Sequence, residues 1–160
     1  MPFAPSFRAK RARLTDRPCP HAAWMFFWNS EQLKISNIFV IINTCTQLYY
    51  MAQRLGALNT KSTSSVLTHL VSKTFAGIGV LDILHNTSAA YFKDQAPSTL
   101  IKVATGLGFG AASMFSDWIF GGCLVYDLVA LAAGQSGSWM NLLAGYAVGA
   151  GAIVAAKNVA

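Results

Sequence analysis

The sequence predicts an all-α membrane protein, a bundle of about four transmembrane helices behind a basic N-terminal arm. Three observations lead there. Apolar residues make up 54% of the 160 residues and charged residues 11%, against roughly 25% charged in an average soluble domain. The apolar residues gather in four blocks, Ile35–Ala52, Val66–Phe92, Leu100–Ala133 and Trp139–Ala156, separated by short polar breaks. Each block approaches or exceeds the about 20 residues that a helix needs to cross a bilayer core. The chain divides into a basic and aromatic segment over residues 1–34 and a transmembrane helical domain over 35–160.

The first segment carries Arg8, Lys10, Arg11, Arg13, Arg17 and Lys34 against only Asp16 and Glu31. Basic residues so close to a first span hold it on the negative side of a membrane and attract anionic headgroups. Residues 6–17 also have the Arg-rich, acid-poor composition of a mitochondrial transit peptide, and are read as a retained, non-cleaved arm. Pro2, Pro5, Pro18 and Pro20 confine any helix there to about three turns. A nucleic-acid role is set aside because no soluble domain is left to shape a groove. The tract Trp24-Met25-Phe26-Phe27-Trp28 is too short to span and has the aromatic character of the membrane–water interface, so it is expected to lie along the surface.

Ile35–Ala52 carries Asn43, Thr44, Thr46 and Gln47 near its centre. Such side chains face other helices, where they find hydrogen bonds. Val66–Phe92 contains His69, Lys73, Asp82 and His85, too many ionisable groups for a helix surrounded by lipid. Asp82 and His85 share one helix face, and His69 and Lys73 share another, nearly opposite. His69 and His85 lie roughly 24 Å apart along a helix axis, so one haem cannot use both. The two pairs are expected to be satisfied within a larger assembly, a proton path being the alternative.

Leu100–Ala133, read as one helix, would reach roughly 50 Å and so tilts or projects beyond the bilayer. It carries Asp117, expected to pair with another chain, and Asp127, expected to reach water near the end of the block. Trp139–Ala156 is built largely from Gly and Ala. Gly106 and Gly110 stand four apart on one helix face, as do Gly145 and Gly149. Glycine costs helix stability but allows the close backbone approach that drives association in lipid. All four are expected to face a neighbouring helix, within the bundle or on a docking partner. Cys19, Cys45 and Cys123 form no CxxC pair and are odd in number, which argues against a disulfide framework.

Four spans put both termini on one side. Lys93, Lys102 and Lys157 then join the basic arm, opposite Arg54 and Lys61, a positive-inside bias that places both ends in the matrix or cytoplasm. The sequence shows no activated nucleophile, phosphate-binding loop or metal-ligand cluster, so no enzyme activity and no cofactor are expected.

From His85 onward the pattern resembles the mitochondrial inner-membrane translocase superfamily, the preprotein and amino-acid transporter family, and within it the accessory members of respiratory complex I. The residues that carry the likeness are Thr87-Ser88-Ala89-Ala90-Tyr91, the break at Pro97, and Lys102-Val103 leading into Gly106–Ala112. Gly121-Gly122-Cys123 follows, then a short loop and Trp139 and Asn141 ahead of the Gly145/Gly149 helix. The likeness covers under half the chain and departs from the family in three places. No acidic residue stands beside Trp139, the basic residue ending the helix is Lys157, and a further helix is missing in this register. It implies a glycine-packed bundle in the mitochondrial inner membrane. The expected role is a non-catalytic accessory subunit of a large respiratory complex, whose partners are other membrane subunits and anionic lipids. The alternative is a small transporter or protein-translocation channel component.

Overall fold

A computed structural model describes residues 20–92 and 95–160. The described residues are all-helical, in six helices: α1 (Pro20–Asn29), α2 (Leu33–Gln53), α3 (Thr63–Tyr91), α4 (Thr99–Met114), α5 (Trp118–Ala133) and α6 (Gly137–Val159). The basic residues Arg8, Lys10, Arg11, Arg13 and Arg17 lie outside the described residues, as does Cys19.

Several helix ends have a local cause. α1 stops where Glu31 turns into the left-handed region, φ 58°, and the Gln32 amide donates back to the Phe27 carbonyl. This reversal folds α1 onto α2 instead of extending it. Ser62 caps α3 by accepting from the Ser65 amide, and Ser98 caps α4 by accepting from the Ile101 amide. A short side-chain acceptor at this position satisfies one of the amides that a helix start leaves free.

The third apolar block is not one helix. It breaks at Phe115-Ser116-Asp117 into α4 and α5, sixteen residues each. Asp117 caps α5 by accepting from the Phe120 amide at 3.0 Å. The Ser116 hydroxyl donates to the Ser113 carbonyl. The Ser116 carbonyl, freed by the break, accepts from Lys157 Nζ at 2.7 Å and from the Asn158 amide. The turn is thus held by the last turn of α6.

Contacts between helices give the directions. Thr44 meets Gly79 and Asn37 meets Thr87, so α2 and α3 are antiparallel. Lys73 meets Asp117, and Cys123 lies against Gly77 and the Thr74 carbonyl, so α3 and α5 run the same way. Gly121 abuts Val154, making α6 antiparallel to α5, while Tyr146 reaches the Lys102 carbonyl of α4. From α2 to α6 the chain therefore reverses direction four times, and Leu33 and Val159 lie at opposite ends of the bundle. The even count of four blocks had put both ends on one side; the break at Ser116 adds a helix and reverses the last one.

The core joins α3 to α6 through Ala76, Phe109, Phe120, Leu124, Leu128 and Leu143. Around it polar side chains are buried nearly as often as apolar ones, and many large apolar ones stand outside. Asn37, Thr44, Thr105, Ser113, Ser116 and Asp127 are buried, whereas Leu100, Phe115, Tyr126 and Val148 are among the most exposed side chains. Two helices, α3 and α6, are long and apolar enough to cross a membrane, and only 22% of each apolar window is buried within the chain. The core helix of a soluble protein would be mostly covered.

Candidate functional site

The polar residues of α3 do not pair along their own helix. Lys73, buried, donates to the Asp117 carboxylate. His69, also buried, has no hydrogen-bond partner at Nδ1 among the described residues. Asp117 thus finds its cation inside this chain rather than on another, and it serves α3 and α5 at once, as counter-ion and as helix cap. A helix start favours an anion for the same reason, since its amides present partial positive charge.

The deeply buried carboxylate is Asp127, not Asp117. Asp127 is 1% exposed, on the inward face of α5 with Leu124 and Leu128. The Cys123 thiol points at its Oδ2 from 3.9 Å and at the Thr74 carbonyl from 3.6 Å. Asp82, across the interface on α3, is close enough to act electrostatically on Asp127, and His85 on Asp82. The expectation that Asp127 reaches water is corrected: it shares with Leu124 and Leu128 the face that α5 turns into the bundle.

Asp82 is where the bundle opens. It lines three hollows: one of about 520 Å³ between α1, α2 and α3, one of about 350 Å³ between α1 and α3, and one of about 450 Å³ between α3 and α5. His85 lines the last two and a fourth, of about 340 Å³, at the end where α3, α4, α5 and α6 meet. Trp24 and Trp28 come to this place from α1. The Trp24 carbonyl accepts from the Ser36 hydroxyl, Phe27 stacks on Phe39 at 5.2 Å, and the Trp28 ring lies 5.9 Å from that of His85. The aromatic tract expected to lie along a surface is therefore docked against α2 and α3, with Met25 and Phe26 left exposed.

No family model, curated protein or solved structure matches this chain. The site is accordingly read from its own residues. Among those described, no group of three or more His, Cys, Asp or Glu side chains is placed to hold a metal ion. Asp82, one turn before His85 on α3, can face a cation in the hollows that it lines.

The glycines separate into two sets. A Cβ at Gly106 would meet the Tyr146 ring at 2.6 Å, at Gly121 the Val154 side chain at 2.6 Å, at Gly77 the Cys123 thiol at 2.6 Å, and at Gly79 the Thr44 side chain at 2.8 Å. These are the close approaches that hold α4 and α5 to α6, and α3 to α5 and α2. At Gly110, Gly145 and Gly149 a Cβ would meet nothing within 4 Å. The expectation that all four paired glycines face a neighbouring helix thus holds within the chain only at Gly106. On α6, Leu143, Ala147 and Ala150 face the core, which leaves Gly145 and Gly149 on the far side.

Proposed function

We propose that this chain is an integral membrane protein of the mitochondrial inner membrane and a non-catalytic accessory subunit of a large respiratory assembly. The observation that carries the membrane part is the surface: large apolar side chains stand outside along every helix, while amides, hydroxyls and the Asp127 carboxylate are buried beside the apolar core. In water such a surface would aggregate; in lipid it is the required arrangement. The accessory role is supported by the outward Gly110, Gly145 and Gly149, smooth faces on which a second membrane helix can approach closely. The respiratory setting and complex I rest on the resemblance of the C-terminal half and on the basic arm, which is read as lying on the matrix side against anionic headgroups.

The experiment is native electrophoresis of mild-detergent extracts, following a tagged chain. Comigration with a respiratory complex, lost on Gly149→Leu while the chain remains folded, is the expected result. Migration as a small free oligomer, unchanged by the substitution, overturns the accessory role. It would favour the second reading, a small transporter component, which draws its support from the hollows that four helices build around Asp82.

A further inference from the structure

We propose that the cavity between α1, α2 and α3 is a binding site for an organic ammonium ion carried on an apolar body. The inference is independent of the accessory-subunit reading.

The argument begins with Asp82. Among the described residues the one ion pair is Lys73 with Asp117, so no lysine or arginine there balances Asp82. The ionisable groups that act on it are His85, one turn further along α3, and Asp127, a second carboxylate across the interface. α1 and α2 bring no charged side chain to the cavity; they bring Trp24, Asn43 and Gln47. A carboxylate at the wall of an apolar bundle needs a counter-charge, and the walls specify which kind. A hard metal ion wants six or more oxygen ligands, whereas here the carboxylate is accompanied by Trp24, Phe75 and Ile78, with Trp28 in the adjoining hollow.

Aromatic faces beside one carboxylate are the chemistry that recognises an ammonium whose charge is spread over carbon, through ring quadrupoles and a single anion. The two hollows share Trp24 and Asp82 as common walls. Their volumes, about 520 and 350 Å³, lie in the range of small-molecule sites. On the far wall, built by α2, Gln47 and Asn43 add polar groups to the lining.

The test uses the full chain in phosphatidylglycerol nanodiscs, whose headgroups carry no amine. The probe is phenyltrimethylammonium, and its uncharged carbon isostere tert-butylbenzene is the control. Binding is read by tryptophan fluorescence and by equilibrium dialysis. The expected result is saturable binding of the cation, weakened at least tenfold by Asp82→Asn and severalfold by Trp24→Leu, with the isostere's uptake unchanged by Asp82→Asn. Circular dichroism of Asp82→Asn, which preserves the side-chain shape, checks the fold. A second variant, Gln47→Glu, adds a charge at the far wall and is expected to tighten cation binding. Equal binding of cation and isostere, or a cation affinity indifferent to Asp82→Asn, overturns the proposal. So does a cation affinity that rises in Arg17→Gln, which would show that the arm of the chain itself supplies the counter-charge.

Discussion

The Lys73–Asp117 pair should behave asymmetrically when it is cut. The lysine side chain is 11% exposed and the aspartate 41%. Asp117→Asn keeps the cap on α5, because Asn accepts from the Phe120 amide as Asp does, but leaves an ammonium buried without its partner. Breaking a buried pair from that side costs about 3 kcal/mol. Lys73→Met removes the buried charge and fills its volume, leaving a carboxylate that still reaches water and still caps α5; about 1 kcal/mol is expected, in line with exposed pairs. The double variant Lys73→Met/Asp117→Asn should therefore cost about 1 kcal/mol, less than Asp117→Asn alone by about 2 kcal/mol, a coupling of about 3 kcal/mol between neighbours. Asp117→Ala, which also loses the cap, should cost a further ~1 kcal/mol beyond Asp117→Asn. Reversible unfolding in mixed micelles, followed by circular dichroism, measures all four. Equal costs for the two single variants with an additive double would refute the reasoning, since the pair would then be neither buried nor coupled.

Three further outcomes follow from the same geometry. Gly106→Leu should destabilise the isolated chain by about 1–3 kcal/mol through overpacking against Tyr146, whereas Gly149→Leu should leave its unfolding midpoint unchanged, both read in the same micelle assay. Lys157→Met should cost about 1 kcal/mol as the Ser116 carbonyl loses its donor, and cysteine-directed labelling of a Ser113→Cys probe should quicken as the turn loosens. Impermeant-reagent labelling of single cysteines at positions 33 and 159 in sealed vesicles should mark opposite faces of the membrane; labelling from one face alone would restore the even-span arrangement.

Much of the architecture was legible in the hydropathy pattern. The blocks Ile35–Ala52, Val66–Phe92 and Trp139–Ala156 correspond to α2, α3 and α6, because a span-length apolar run is its own signal. The break at Ser116 was hidden from that signal, since Phe115 and Trp118 flank it and keep the local average apolar. What marks it is capping chemistry: an aspartate directly before Trp118-Ile119-Phe120 is a helix-start pattern. Missing it hid the packing of a separate α5, whose inward face carries Leu124, Asp127 and Leu128. The docking of α1 had no sequence signature. Its aromatic tract suits an interface and a helix groove equally, and only the reversal at Glu31 decides between them.

The same break links charge to topology. As long as Leu100–Ala133 is one helix, Lys157 joins the arm, Lys93 and Lys102, leaving Arg54 and Lys61 alone opposite. With α4 and α5 antiparallel, Lys157 moves to the end of the bundle that holds Arg54 and Lys61. Lys102, near the start of α4, stays at the opposite end. What Lys157 does instead is local. At the last turn of α6 it lies where the helix dipole favours a cation, and it donates to the carbonyl that the break sets free. One aspartate and one lysine thus close the two open ends of the α4–α5 turn. Asp117 binds amides and the Lys73 ammonium on one side, and Lys157 binds the Ser116 carbonyl on the other. A polar turn inside an apolar chain is tolerable only when its backbone groups are answered by protein, and here they are answered by α3 and α6, the two helices with the length and hydropathy to span.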